Sequence, residues 1–128
     1  MKTNYALLIG LVIVFTMVTA CIAQETTSSP LIPVQIQKVT VAQILEDPLA
    51  FENVPVELTG KITSQCGSGC WFIMSDDTGD LYVNIRPNNF VIPPATGKEV
   101  TTQGNITVKD NDVALIGSSV LLDGKTYP

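Results

Sequence analysis

Apolar and polar residues alternate with a period of two through much of the chain after residue 55, as they do in strands with one buried face. This pattern predicts five strands, at residues 56–62, 71–75, 81–86, 100–108 and 113–122. The sequence DDTG at residues 76–79 joins the second strand to the third and is typical of a tight hairpin turn. Glycine breaks the alternation of the first strand at Gly60, where we expect a bulge or a sharp coil of the sheet, and the fifth strand is interrupted near Gly117.

A short helix is predicted ahead of these strands, at residues 41–47. Thr40 is a typical N-cap residue, and Pro48 ends the run because its ring is incompatible with a helix interior. Three apolar residues fall on one face of this helix: Val41, Ile44 and Leu45.

The first twenty residues have the organisation of an export signal. Lys2 precedes an uncharged apolar run at residues 6–18, which is shorter than the about 20 residues that a spanning helix needs. The run closes on Val-Thr-Ala-Cys at residues 18–21, which resembles the lipobox of lipoproteins, and the resemblance implies lipid attachment at Cys21. Two alternatives remain open: release of a secreted chain before Gln24, and an uncleaved membrane anchor. The sequence therefore predicts a domain on the extracytoplasmic side of a membrane, anchored there or secreted.

Composition divides the chain into four parts. Residues 1–20 are the signal peptide, with the uncleaved anchor as the alternative, and residues 21–38 are rich in Thr, Ser, Pro and Gln, which predicts a flexible tether. Residues 39–123 carry the periodic pattern and form one domain, and residues 124–128 are a tail.

The order of these elements resembles the OB-fold. A short helix, a strand kinked at glycine, a tight hairpin, a crossing segment and a final hairpin imply an all-β domain, a five-stranded Greek-key barrel with a short N-terminal helix. Residues 41–60 are similar to the opening of tRNA-anticodon-like OB domains. The chain also resembles small uncharacterised exported OB-type domains, through Cys66, Gly69, Cys70, Trp71 and the sequence GKEV at residues 97–100. The fold implies no single ligand, because it is shared by binders of oligonucleotides, oligosaccharides and proteins.

Cys66 and Cys70 flank a glycine-rich turn, and three interpretations of this pair stay open. In an exported protein, a structural disulfide is the default. A bond that closes so short a loop stabilises less than one across a long loop, which leaves room for a redox-active pair. Both thiolates are also suitable ligands for a soft metal ion such as Zn²⁺ or Cu⁺. A closed zinc site needs four ligands, however, and the chain has no histidine, so Met74, carboxylates or another subunit would have to complete it.

A ligand-binding face is predicted on the second and third strands, where OB-folds stack bases or sugars. The candidate residues are Trp71, Phe72, Tyr82, Asn84, Arg86 and Phe90. Alternation directs Tyr82 and Asn84 outward if Leu81 and Val83 are buried, and either Trp71 or Phe72 accompanies them.

Charge and composition limit the classes of function that we expect of this chain. The chain has seven basic and twelve acidic residues, a net charge of −5, which opposes nucleic-acid binding because that binding depends on displacing counterions with Lys and Arg. Without histidine or a nucleophile motif, acid–base catalysis lacks its usual groups, so we expect neither an enzyme nor a cofactor. Asp76, Asp77 and Asp80 are weak candidates for a cation site, with a simple turn as the alternative.

The sequence thus predicts an extracytoplasmic, lipid-anchored OB-fold binding module for a glycan, peptide or protein. The alternatives are a redox or metal-handling protein that uses Cys66 and Cys70, and a domain that binds single-stranded nucleic acid.

Overall fold

Five long strands close into a barrel. A computed structural model describes residues 34–128 of the chain. The strands are β1 (Gln37–Lys38), β2 (Pro55–Gln65), β3 (Trp71–Asp76), β4 (Gly79–Asn84), β5 (Glu99–Lys109), β6 (Asp112–Leu122) and β7 (Lys125–Tyr127). They pair in the order β1-β2-β3-β4-β6-β5, and β5 also pairs with β2, which closes the barrel. The β4–β6 and β1–β2 ladders are parallel and the others are antiparallel. This confirms the predicted all-β, five-stranded Greek-key OB-fold barrel.

Both ends of the domain pair with the barrel. The predicted tail pairs with the end of β6 as β7, and Gln37 and Lys38, assigned to the tether, pair with Val56 and Glu57 of β2. The signal segment at residues 1–20, the lipidation site Cys21 and the tether up to residue 33 lie outside the described residues. Within residues 34–128, no helix has both the length and the apolar character that a bilayer crossing needs.

The long strand β2 pairs with β5 and β3 in succession, in addition to its short ladder with β1. Its first half, from Pro55 to Lys61, lies against β5, and Lys61–Gln65 lies against β3. The strands cross closely where the partners change, since a Cβ atom on Gly60 would lie 2.5 Å from the carbonyl oxygen of Ser75. The register of the β2–β3 ladder shifts between Ile62 and Ser64, slightly beyond the predicted position at Gly60. A second shift, between β5 and β6, lies opposite Gly117 as expected.

Alternate residues of the strands fill the core, and the helix α1 (Val41–Glu46) covers part of it. The largest fully buried side chains are Phe72, Ile44, Leu58, Ile62, Met74, Ile85, Ile106, Leu115, Leu122, Val41, Val56 and Val83. Only two of the three apolar helix residues are buried, because Leu45 is 47% exposed. A helix of six residues has room to bury one narrow stripe, and Val41 and Ile44 occupy it.

The β3–β4 turn fastens the helix to the barrel. Thr40 forms a capping box with Gln43, and the carboxylate of Asp76 accepts a hydrogen bond from the Val41 amide at 2.9 Å. Thr78 Oγ1 accepts a hydrogen bond from the Ala42 amide, also at 2.9 Å. Asp76 Oδ1 accepts hydrogen bonds from Thr78 and from the Gly79 amide. The Asp76 carboxylate is therefore a structural clamp between turn and helix, and this favours the turn interpretation of the aspartates over a cation site.

The loop from Cys66 to Cys70 is seated on the crossing segment that precedes β5. Gly69 has φ +73°, and its carbonyl oxygen accepts a hydrogen bond from the Ile92 amide at 3.1 Å. A Cβ atom on Gly69 would lie 2.0 Å from the carbonyl oxygen of Ile92, so only glycine fits. The side chain of Gln65 bonds the same segment at Pro93 and Ala95. The loop is thus held from two sides.

Replacing the clamp carboxylate tests its role in stability. Asp76→Ala should lower the free energy of unfolding by about 1 to 2 kcal/mol, because it leaves amides of the turn and the helix without a partner. The matched control is Asp77→Ala, an exposed neighbour whose side chain has no hydrogen bond within residues 34–128, and it should change stability by less than about 0.5 kcal/mol. Urea unfolding of the two variants measures the difference, and equal losses would contradict the clamp.

The clamp also predicts an acid dependence. Partial burial raises the pKa of the Asp76 carboxyl, but hydrogen bonds from Thr78, Val41 and Gly79 outweigh it and hold the pKa below its ordinary value. A lowered pKa contributes stability above the unfolded-state value of about 4, and that contribution is lost as the pH falls through the folded-state pKa. The stability difference between wild type and Asp76→Ala should therefore shrink below about pH 4. If the stability difference between wild type and Asp76→Ala grows as the pH falls, the prediction is contradicted.

Gly67 and Gly69 lie in the same loop, so replacing each in turn tests whether the loop packs against the segment at Ile92. Gly69→Ala should cost about 2 kcal/mol or more, because it combines a left-handed backbone with a collision against Ile92. Gly67→Ala meets no atom within 4 Å and should be nearly neutral. Thermal unfolding of both variants distinguishes them, and similar melting temperatures would show that the loop is not seated in this way.

Candidate functional site

Strand alternation decides which of the neighbouring aromatic residues faces outward. Trp71 pairs with Asn84 across the β3–β4 ladder, while Phe72 pairs with Val83. Phe72 and Val83 are fully buried, so they point into the barrel. Trp71 and Asn84 belong to the opposite face. Of the two predicted alternatives, Trp71 is therefore the outward residue, and Phe72 belongs to the core.

Trp71 and Tyr82 form a tilted aromatic pair on this outer face. Their ring centroids lie 5.6 Å apart and the ring planes make an angle of 39°. They are diagonal neighbours, since Tyr82 pairs directly with Ile73. Tyr82 is 37% exposed and Trp71 is half-buried. Both rings therefore contribute to the barrel surface.

Aliphatic side chains extend the surface around this pair. Ile73 lies beside Tyr82, and the parallel β4–β6 ladder places Ala114 next to Tyr82 and Ile116 next to Asn84. All three are half-buried. We call the aromatic face the set Trp71, Ile73, Tyr82, Ala114 and Ile116. Ile73 shares the parity of Trp71 along β3, so alternation would have found it, but the placement of β6 beside β4 has no local sequence signal.

Three other predicted ligand-binding residues make contacts within the protein: Asn84, Arg86 and Phe90. The side-chain oxygen of Asn84 accepts a hydrogen bond from the Arg86 amide at 3.1 Å, which fixes the end of β4. Phe90 is half-buried and packs against the core, so it does not extend the aromatic face. The Arg86 guanidinium donates a hydrogen bond to Cys70 Sγ at 3.3 Å. Sequence spacing did not predict this contact, which joins the end of β4 to the start of β3.

Cys66 and Cys70 lie together as free thiols. The Cys70 thiol donates to Cys66 Sγ, with 2.9 Å between the sulfur atoms. Ser68 Oγ lies 3.1 Å from Cys66 Sγ and 3.4 Å from Cys70 Sγ. Cys66 is half-buried and Cys70 only 6% exposed, so the two sulfur atoms differ in their access to solvent.

The surroundings of Cys66 favour its thiolate. Hydrogen bonds from the Cys70 thiol, from the Ser68 hydroxyl and from the Ser68 and Cys70 amides lower the pKa of Cys66 to about 6. The hydrogen bond to Cys70, together with the attraction of the sulfur charges, raises the pKa of Arg86 above its ordinary value. The Cys66 thiolate is thus stabilised by hydrogen-bond donors, and the Arg86 guanidinium lies against the neighbouring sulfur of Cys70.

Cys66 and Cys70 alone form an incomplete metal site. Nowhere in residues 34–128 do three or more His, Cys, Asp or Glu side chains come together in a way that could hold an ion. Met74 is fully buried in the core and Asp76 is engaged by the helix. Two thiolates remain, and the other ligands of a closed zinc site would have to come from outside the described part of the chain.

Comparison with known proteins supports the fold. No protein-family model matches the chain, and neither does any of the curated proteins. The hypothetical protein YgiW from E. coli is similar in structure, with a TM-score of 0.50 and 19% identity over 69% of this chain and 97% of that one. A putative aspartyl-tRNA synthetase from Leishmania major Friedlin is also similar, with a TM-score of 0.53 and 12% identity over 80% of this chain. The match spans only 23% of the synthetase chain. At these identities the likeness concerns the fold, and it agrees with the OB-fold topology described above.

Proposed function

We propose that this protein is an exported, lipid-anchored OB-fold module that binds an apolar segment of a polypeptide on the aromatic face. The observation that carries the proposal is the Trp71–Tyr82 pair, which lies outside the core and remains accessible beside aliphatic neighbours. Trp and Tyr are the residues most often found at the energetic centres of protein interfaces. The activity we propose is binding, without acid–base catalysis.

The shape of the aromatic pair favours a polypeptide over a sugar. Two rings inclined at 39° form a notch, and the face of a sugar ring or of a base can stack on only one of them. Ile73, Ala114 and Ile116 add aliphatic surface to this face, on which Asn84 beside Trp71 is polar. A sugar hydroxyl placed over the aliphatic residues would have no hydrogen-bond partner. An apolar side chain fits such a notch by burying surface alone.

Charge disfavours the nucleic-acid alternative. A single-stranded nucleic acid needs both stacking platforms and a cationic groove along its backbone. The chain is acidic, with a net charge of −5, and the Arg86 guanidinium at the edge of the face is hydrogen-bonded to Cys70. The aromatic pair alone therefore gives weak support to that role.

The lipid anchor rests on the sequence before Cys21. An apolar run at residues 6–18 leads to Val-Thr-Ala-Cys, and the residues that follow have the composition of a tether. An anchored tether would keep the barrel close to a membrane surface while leaving the aromatic face free to bind.

Trp71 is the only tryptophan of the chain, so its fluorescence reports on the aromatic face. We expect a saturable change on titration with an extended octapeptide that has leucine at alternate positions and lysine at its ends. Tyr82→Ala should weaken this binding about tenfold, since one aromatic partner is worth about 1.4 kcal/mol. Leu121→Ala is the matched control, because Leu121 is 44% exposed on β6 outside the aromatic face, and it should bind normally.

Two other probes decide between ligand classes in the same assay. A neutral hexasaccharide and an oligodeoxythymidine at low salt should leave the Trp71 signal unchanged. A saturable response to the hexasaccharide, with none to the peptide, would replace the polypeptide by a glycan. A response to the oligonucleotide that weakens steeply with salt would favour nucleic acid instead.

The anchor is tested by mass spectrometry of the mature protein extracted from host membranes. We expect an N-terminal peptide that begins at Cys21 and carries the added mass of a diacylglyceryl group, and Cys21→Ser should abolish it. An unmodified N-terminus at Gln24 would show plain secretion, and an intact Met1 would show an uncleaved anchor.

A further inference from the structure

The thiol pair beside the aromatic face has no part in the binding just proposed. We propose that Cys66 and Cys70 form a redox couple that exchanges with a disulfide, in which Cys66 attacks and Cys70 completes the reaction. Three features of the pair carry this proposal. The two sulfur atoms differ in their access to solvent, several hydrogen-bond donors surround Cys66, and the Arg86 guanidinium is hydrogen-bonded to Cys70.

Access assigns the attacking sulfur. Cys66 is half-buried at the surface of the loop, while Cys70 is 6% exposed at the start of β3. A disulfide from outside can therefore reach Cys66 Sγ, and Cys70 lies behind it at 2.9 Å. A bond between the two sulfur atoms measures about 2.05 Å, so closing it requires a movement of less than about 1 Å.

The donors around Cys66 prepare it for attack at neutral pH. The Cys70 thiol, the Ser68 hydroxyl and two backbone amides converge on Cys66 Sγ. The thiolate is the reactive form of cysteine, and a pKa near ambient pH gives the best compromise between ionisation and nucleophilicity. The glycines on either side of Ser68 allow the turn that aims these donors at one atom.

Arg86 supports the second sulfur. Its guanidinium donates a hydrogen bond to Cys70 Sγ at 3.3 Å, and the Cys70 thiol in turn donates a hydrogen bond to Cys66 Sγ. Once Cys66 has reacted it no longer holds a negative charge, and Cys70 must become the thiolate. The fixed positive charge of Arg86 then stabilises that thiolate. Arg86 is thus a positioning and charge-stabilising residue for Cys70.

The exchange balances in two steps. The Cys66 thiolate attacks one sulfur of the external disulfide, so a mixed disulfide forms and the other external sulfur leaves as a thiolate, which takes up a proton. The Cys70 thiol gives its proton to solvent and its thiolate attacks Cys66 Sγ. The second external sulfur leaves as a thiolate and takes up a proton. The result is a Cys66–Cys70 disulfide and an external dithiol, with two electrons passed to the external sulfur pair. The reverse sequence oxidises an external dithiol.

The first test measures alkylation of the reduced full-length chain by iodoacetamide as a function of pH, with peptide mapping to count Cys21 separately. Cys66 should react first, and its rate should change less than about twofold between pH 7 and pH 9, because its pKa of about 6 leaves it ionised throughout. The control places a lone exposed thiol on β7 by Thr126→Cys in the Cys66→Ser, Cys70→Ser background. That thiol should accelerate more than about tenfold over the same range.

The second test traps the intermediate. With oxidised glutathione, Cys70→Ser should accumulate a stable mixed disulfide on Cys66, while Cys66→Ser should react at least about tenfold more slowly at Cys70. Wild type should release two thiols and end with an internal disulfide. Insulin with its native disulfides replaces oxidised glutathione in a parallel experiment. A faster reaction with insulin than with glutathione would identify protein disulfides as the external partner.

Several outcomes would overturn the proposal. If wild type stays fully bonded in every glutathione buffer, from the most reducing to the most oxidising, the pair is a structural disulfide. A pair that stays reduced in all of them is not a redox couple. Zinc or copper that purifies with the chain and blocks both thiols until it is chelated would make the pair a metal site. If Cys70→Ser does not fold, the alkylation profile of the unmodified chain still decides whether Cys66 is activated.

Discussion

The successive pairing of β2 with β5 and then with β3 is the constraint on which the rest of the structure depends. Its first half bonds β5 and its last residues bond β3, and Lys61 belongs to both ladders. The two ladders take successive parts of β2, and the absence of a side chain at Gly60 permits the close approach to the Ser75 carbonyl oxygen where the partners change. Closure leaves each strand of the barrel with one face inside and one outside, so the inward or outward direction of every side chain is fixed.

The candidate site follows from this closure. Phe72 is drawn into the core, and Trp71 is left outside against Tyr82. The loop that leaves β2 then brings Cys66 next to Cys70, directly before Trp71, and the Cys66 amide donates to the Trp71 carbonyl oxygen at 3.0 Å. Arg86 returns from the end of β4 to Cys70. The aromatic face and the thiol pair are therefore neighbouring parts of one surface, joined through the backbone of Trp71.

Local pattern was enough to predict the strands, the helix and its cap. The alternation after residue 55, Thr40 ahead of the helix and the DDTG turn are all signals carried by a few adjacent residues. The turn signal did not reveal what Asp76 does, because its partner, the Val41 amide, lies 35 residues away. The short strand β7 was missed because three residues are too few to show a period.

The site was less predictable for the same reason. Two adjacent aromatic residues cannot both face outward, and the sequence left Trp71 and Phe72 equal until the register of β3 against β4 separated them. The contact between Arg86 and Cys70 depends on that register as well, and so does the place of Ile116 on the aromatic face. Pairing between distant strands leaves no local sequence pattern. The sequence could therefore suggest candidate residues, but it could not show which of them lie together.

Comparison of the amide ¹H–¹⁵N spectra of the reduced and oxidised protein tests the central claim most directly, that the thiol pair and the aromatic face are one surface. Bonding of Cys66 to Cys70 removes the hydrogen bond between the two sulfur atoms and changes the contact of Arg86 with Cys70. We predict shifts at residues 66–71 and 82–86, with the amides of α1 and β7 unchanged. Shifts confined to the loop, with none in β4, would contradict the account.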